Sequence, residues 1–255
     1  MKSRVIVFAF ALVLSGNVAS AQEYRVAKTS GRLELNIGRV TVEGHNGNEI
    51  IFTAANPKSG KDERAEGLRL VNSLGLEDNT GGLGINVTDK GNVVEVYQLK
   101  QTHAPDIKVL VPKGVIVSFR HESQYGGTAK FVNLPNEIEV SAVYNSVELQ
   151  KVTGPLTIET TYGGVTADFI APIKDPVSIV SIYGFIDISL PQDTKANLEM
   201  STSYGDIYAA PEFKIDVPTR DGMKVYGDKI TGTINGGGVS IDLDCNYGKI
   251  YLRRK

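Results

Sequence analysis

The sequence predicts an all-β chain built largely as a repetitive parallel β-solenoid, and three observations carry that expectation. Tyr-Gly recurs at Tyr125-Gly126, Tyr162-Gly163, Tyr183-Gly184, Tyr204-Gly205 and Tyr247-Gly248, with Tyr144-Asn145 in the same slot. The interval is about 20 residues, in the range of solenoid repeats. Around these turns apolar and polar residues alternate with period two, the mark of strands with one buried face. Val, Ile, Thr and Tyr fill the runs, Gly is abundant and Trp is absent, which favours strands over helices. A β-sandwich of hairpins is the alternative. Matching residue types from copy to copy, and turns at fixed phase, favour the solenoid.

In chain order, residues 1–21 read as a signal peptide. Lys2 and Arg4 precede the apolar run Val5 to Leu14, and Ala19-Ser20-Ala21 offers a small-x-small cleavage site before Gln22. The run is well short of the roughly 20 residues of a spanning helix, so no transmembrane segment is expected after cleavage. The destination is the periplasm, the outer surface or the medium.

Residues 22–114 are expected to form a less regular β region that caps the solenoid. Leu33, Leu35 and Ile37, then Gly38, then Val40 and Val42 make a strand-Gly-strand unit. Further strands are expected at 49–54, 83–88, 92–98, 106–111 and 114–120, with the charged stretch 57–67 as a loop or short surface helix. Regular repeats are expected over 115–255.

Columns through the repeats define the coil. Two residues before each Tyr stand Ser123, Ala142, Thr160, Ser181, Thr202 and Cys245, all small. Three after stand Thr128, Val147, Val165, Ile186, Ile207 and Ile250. The first copy matches worst, with His121, Thr128 and Lys130 at inward positions. The Tyr shares parity with the inward residues before it. It is therefore expected inside or at the corner, stacked on the next Tyr, rather than in an exposed stripe for sugar rings. Asn at 145 fits a turn that needs positive φ. Tyr226-Gly227 is not counted, because Lys229 would fall on an inward position.

Net charge is −2 with no basic patch, which argues against nucleic acid as a partner. Cys245 is the only cysteine, so an exported chain has no internal disulfide framework, and its thiol is expected as a small buried group. The closing Arg253-Arg254-Lys255 is expected to discourage pairing at an open C-terminal edge.

No residue set points firmly to chemistry. His121-Glu122 begins like a zinc-protease motif, but Tyr125 stands where the second His belongs. Asp242, Asp244 and Asn246 have calcium-loop spacing without its Gly or closing Glu, and they alternate along a strand. Gly236-Gly237-Gly238 lacks the period of a calcium β-roll, and Gly81-Gly82-Leu83-Gly84 lacks the Lys and helix of a phosphate loop. Asn86-Val87-Thr88 is a sequon that matters only in a eukaryotic secretory route. Glu148 and Asp187 share an outward column about 9 to 10 Å apart by coil spacing, at the edge of the inverting-glycosidase range. Nothing around them suggests a tuned pair. No catalytic residue, metal ligand or cofactor is therefore assigned.

The segments DNTGGLGINV from Asp78, DIKVLVP from Asp106, VTGPL from Val152 and PQDTKANLEMSTSYG from Pro191 resemble the secreted bacterial putative-adhesin domain family. The resemblance covers nearly the whole mature chain. It implies a repetitive exported scaffold of the Gram-negative envelope, of unknown function and without catalytic residues to carry over. The expectation is a non-enzymatic envelope or surface protein, adhesin-like, whose partner is an envelope protein or a surface glycan. A polysaccharide-active β-helix enzyme and a lectin-like module are the alternatives.

Overall fold

A computed structural model describes residues 22–255 apart from 56–63, 65–66, 69–70, 103, 214, 216–218, 221–222 and 225–228. The leader, most of 57–67, His103 and Tyr226-Gly227 lie outside the described residues. The first half contains β1 (Glu23–Ala27), β2 (Gly31–Asn36), β3 (Val40–His45), β4 (Glu49–Ala54), β5 (Ile85–Asp89), β6 (Val93–Gln98), β7 (Ile107–Pro112) and β8 (Val115–His121). The repeats supply β9 (Ala129–Val132), β10 (Ile138–Ala142), β11 (Val147–Gln150), β12 (Leu156–Thr160), β13 (Val165–Asp168), β14 (Val177–Ser181), β15 (Ile186–Leu190), β16 (Ala196–Ser201) and β17 (Ile207–Ala209). The chain ends with β18 (Thr219–Arg220), β19 (Met223–Lys224), β20 (Lys229–Ile234), β21 (Val239–Cys245) and β22 (Ile250–Arg254).

The predicted solenoid is the observed fold. Two ten-stranded sheets face one another, ordered β1-β4-β7-β3-β9-β11-β13-β15-β22-β17 and β20-β16-β21-β14-β12-β10-β8-β2-β6-β5. A coil is one strand of the second sheet, a corner, and one strand of the first. Eight coils stack in parallel: β6–β7, β2–β3, β8–β9, β10–β11, β12–β13, β14–β15, β21–β22 and β16–β17. At about 4.8 Å per coil the stack is roughly 40 Å long.

Period-two alternation explains the strands. In β12 the pattern is buried-exposed-buried-exposed-buried, with Leu156, Ile158 and Thr160 inward. Parallel pairing is in register, so Leu156 lies between Ile138 and Val177, and Ile158 between Val140 and Ile179. A one-residue slip would turn every apolar side chain outward. Register is thereby fixed from coil to coil, and a single buried apolar cluster runs the length of the stack. Cys245 belongs to it, fully buried, and that burial raises its thiol pKa above the ordinary value.

Spatial order departs from chain order at both ends. The coil β2–β3 sits second, inside β6–β7, and the last coil β21–β22 sits between β14–β15 and β16–β17. At each end an antiparallel return strand straddles its neighbour. β4 pairs with β7, which separates it from β3, and β20 pairs with β16, which separates it from β21. Segment 22–114 thus contributes coils as well as closing strands. The expected role of Arg253, Arg254 and Lys255 at an open edge is not what the fold uses. β22 is internal to its sheet, Arg253 pairs with Asp187, and Lys255 reaches Asp168 at 2.5 Å.

Ion pairs run across the coils on the outer faces. Arg32 on β2 reaches over β8 to the Glu139 carboxylate on β10, with Nη2 2.9 Å from Oε1. The hydrogen bond from Arg32, aided by its charge and opposed by partial burial, holds Glu139 below the usual carboxylate range. This contribution is complete above the ordinary glutamate pKa, about 4.3, and is lost as pH falls through the lower folded value. Because both side chains are near one-third exposed, Arg32→Leu is expected to cost at most about 1 kcal/mol at pH 7. It should also flatten the acid limb of a stability-versus-pH curve measured by urea denaturation. An unchanged acid limb would show that the pair does not act.

Candidate functional site

The corners joining the two sheets hold the residues singled out from the sequence. In regular copies four residues separate the last inward position of one strand from the first of the next, as between Ala142 and Val147. The parallel ladder continues through these corners. Tyr162 N donates to Val143 O at 2.8 Å, Tyr183 N to Thr161 O at 2.7 Å, Tyr247 N to Ile182 O at 2.8 Å and Tyr204 N to Asn246 O at 2.9 Å. Neighbouring backbones are therefore bound to one another where the chain turns.

This close approach selects glycine. A Cβ on Gly163 would overlap the Asn145 carbonyl oxygen, one on Gly184 that of Gly163, one on Gly248 that of Gly184, and one on Gly205 that of Gly248. None of these glycines has positive φ, so the expected left-handed turn is corrected. In three copies the small residue two before the Tyr reaches the same carbonyls. Ser181 Oγ donates to Gly163 O at 3.2 Å, Thr202 Oγ1 to Gly248 O at 3.3 Å, and the Cys245 thiol lies 3.7 Å from Gly184 O.

The tyrosines are stacked, as expected, but outside. Ring centroids lie 5.1 Å apart for Tyr144–Tyr162, 5.2 Å for Tyr162–Tyr183, 4.9 Å for Tyr183–Tyr247 and 5.0 Å for Tyr247–Tyr204, with planes within 17° of parallel. The first four are 48–54% exposed and Tyr204 is 74% exposed. The inward expectation fails because alternation stops at the corner. Inward positions fall two before and three after the Tyr, an odd five-residue step, which leaves Tyr on the outer bend. Transposition of the last coil puts Tyr247 between Tyr183 and Tyr204.

Tyr125-Gly126 does not join the ladder. His121 pairs with Ala142 and Ala129 with Val147, so this corner is three residues longer than its neighbours and swings outward. The inward column there contains His121, Ala129 and Phe131, where His121 had been placed one step earlier and Thr128 and Lys130 had been expected. Asn145 fills the space left behind. Its Nδ2 donates to Gly38 O at 2.8 Å and Gly127 O at 2.6 Å, which fixes Oδ1 as acceptor for His121 Nδ1 at 2.7 Å. Gly38 leaves room for the imidazole. Asn145 is thus a buried bracket across three coils.

A second stack was not anticipated. Tyr208 and Tyr251, neighbours on β17 and β22, lie 5.5 Å apart at 11°. Lys249 sits over the first ring at 5.6 Å and Arg253 over the second at 5.4 Å. Both tyrosines occupy the outward column that also holds Glu148 and Asp187. Those carboxylates are two coils apart, as expected, and each is ion-paired: Glu148 to Lys130 at 3.0 Å, Asp187 to Arg253 through two hydrogen bonds. Asp244 accepts from Ser201 at 2.9 Å, and Asp78 caps the turn of Gly81 to Gly84 through Thr80 N and Gly84 N.

The family model Toastrack DUF4097 matches residues 17–253. The chain belongs to this family. The sequence resemblance to a domain family of unknown function is thereby confirmed. No curated protein matches this Toastrack chain. A solved structure with a similar trace is that of a putative cell adhesion protein from Clostridium sporogenes ATCC 15579, at 12% identity, 92% coverage of this chain, 100% of that one, and a TM-score of 0.46.

Two predictions test the corner. Gly184→Ala places a methyl against the Gly163 carbonyl and Ser181 Oγ, and overpacking of this kind costs typically 1–3 kcal/mol. Chemical denaturation should show a loss in that range, and a neutral outcome would refute the close-approach account. Tyr247→Ala removes two stacked pairs and Tyr204→Ala one, at about 0.5–1.5 kcal/mol per pair. The first variant should therefore lose about twice as much stability as the second, and equal losses would mean that stacking is not what holds the rings.

Proposed function

We propose that this chain is a non-enzymatic exported protein of the cell envelope or surface, a scaffold or binding module whose working face is the tyrosine corner. The observation that carries this reading is the ladder itself. Five half-exposed or more exposed aromatic rings are set in one row on a hydrogen-bonded backbone. Exposed aromatic surface of this kind marks interaction sites more often than chance placement does, and a rigid support reduces the entropy cost of using it.

The leader pattern at residues 2–21 supports export. Among the described residues no helix is long and apolar enough to cross a membrane. The ion pairs around Glu148 and Asp187 count against the polysaccharide-cleaving alternative, since each carboxylate already has a cation partner. The expected partner is an envelope protein or a surface glycan.

Incubation of the full chain with a panel of soluble polysaccharides, followed by an assay for new reducing ends, tests the non-enzymatic reading. No release above the protein-free control is expected. Release that disappears in Glu148→Gln would replace the scaffold with a glycosidase.

A further inference from the structure

The ladder has a definite chemistry, and from it we infer that the tyrosine corner binds a linear, uncharged, β-linked glycan laid along the solenoid axis. The inference rests on the binding-module reading above and names its ligand class. The ring spacing is the first argument. Centroids repeat at 4.9–5.2 Å over five coils, so the row is about 20 Å long. An extended β-linked glycan advances by close to one such step per sugar, so successive sugars meet successive rings. A helical α-linked chain turns away from a straight row after one or two contacts.

Exposure of ring surface is the second argument. Parallel rings with centroids about 5 Å apart are offset-stacked, which leaves part of each face as well as its outer edge uncovered. Sugars present apolar C–H patches flanked by hydroxyls, and a half-open phenol offers both counterparts. None of the hydroxyls of Tyr144, Tyr162, Tyr183, Tyr247 and Tyr204 bonds to another described residue, in contrast to Tyr208, whose hydroxyl meets Asp206.

Charge is the third argument. Beside the first three rings stand Val143, Ser146, Thr161, Ile182 and Phe185, none of them ionisable. At the far end Lys249 and Asp206 offset one another at 3.5 Å. A polyuronate or a sulfated glycan gains nothing from such a ridge, whereas a neutral chain loses no charge hydration on docking. The row is also long enough for additive contacts. Each ring contributes little alone, and several engaged by one polymer act together, so affinity grows with glycan length until the ladder is spanned.

The chain contains no tryptophan and eleven tyrosines, so intrinsic fluorescence comes from tyrosine, to which the five rings of the row contribute. The full chain is titrated with cellobiose, cellohexaose, maltohexaose and polygalacturonate, following fluorescence and isothermal heats. Cellohexaose is expected to bind at least tenfold more tightly than cellobiose and than either of the other two. Tyr247→Ala, in the middle of the row, is expected to weaken cellohexaose binding at least tenfold. Tyr247→Phe, which keeps the stack and removes one hydroxyl, is expected to weaken it only severalfold and decides the matter if the alanine variant does not fold. Equal affinity for cellobiose and cellohexaose, preference for maltohexaose or polygalacturonate, or indifference to both Tyr247 variants would overturn the proposal. No binding of any glycan would overturn it as well, while leaving the scaffold reading intact. That reading fails separately, through release of reducing ends.

Discussion

The structure depends on how closely one turn of backbone can lie on the next. Parallel strands sit about 4.8 Å apart. Here the ladder bonds continue around the bend, so the corner backbones meet at the same separation as the strands. A side chain pointing along the axis has no room there, and glycine is the residue that meets this requirement. The outer flank is then occupied by the residue just before the glycine, whose side chain leaves the bend radially. Tyrosine in that place is carried at the coil pitch whether or not anything uses it. Core, turn and aromatic row follow from a single interstrand distance.

Much of this was legible in the sequence. The strands of 138–190 and their inward columns followed from alternation, and equal spacing of the copies gave their register, whereas the columns of 121–131 were placed out of step. Orientation of the tyrosines was misjudged because parity was carried through the corner, where the chain is not a strand. Asn145 was legible as a member of the turn series, but its bracket role was not. That role arises from a longer corner in the neighbouring coil, and nothing in the residues around 145 reports the length of 122–128. Tyr208–Tyr251 stacking was not foreseen, although both residues stand in the outward column that also holds Asp187.

That insertion is the part of the architecture that sequence patterning could not reach. Columns state which residues share a slot and are silent on the order of the slots. Coils β21–β22 and β16–β17 present matching inward residues, Ile241, Leu243 and Cys245 against Leu198, Met200 and Thr202, so either order satisfies the core. What decides is the antiparallel strand β20, which covers β16 on its outer side and leaves the inner side for β21. The N-terminal end solves the same problem with β4 and β7. The solenoid therefore closes its ends by folding back, and among the described residues three of the four edges of the two large sheets carry antiparallel strands.

The seating of the last coil also sets how the molecule meets force and thermal fraying. Linear repeat arrays loosen from their outermost units, because each of those is held on one side only. In this chain the outermost coil at that end is an internal loop tied down at both of its own ends. The strand β22, which leads to Lys255, is flanked by β15 and β17, with Lys255 N bonded to Leu190 O at 2.9 Å. A pull on Lys255 therefore cannot peel strands off one at a time. It must shear two ladders at once, so a protein tethered or loaded at that point resists as a block rather than as a zipper.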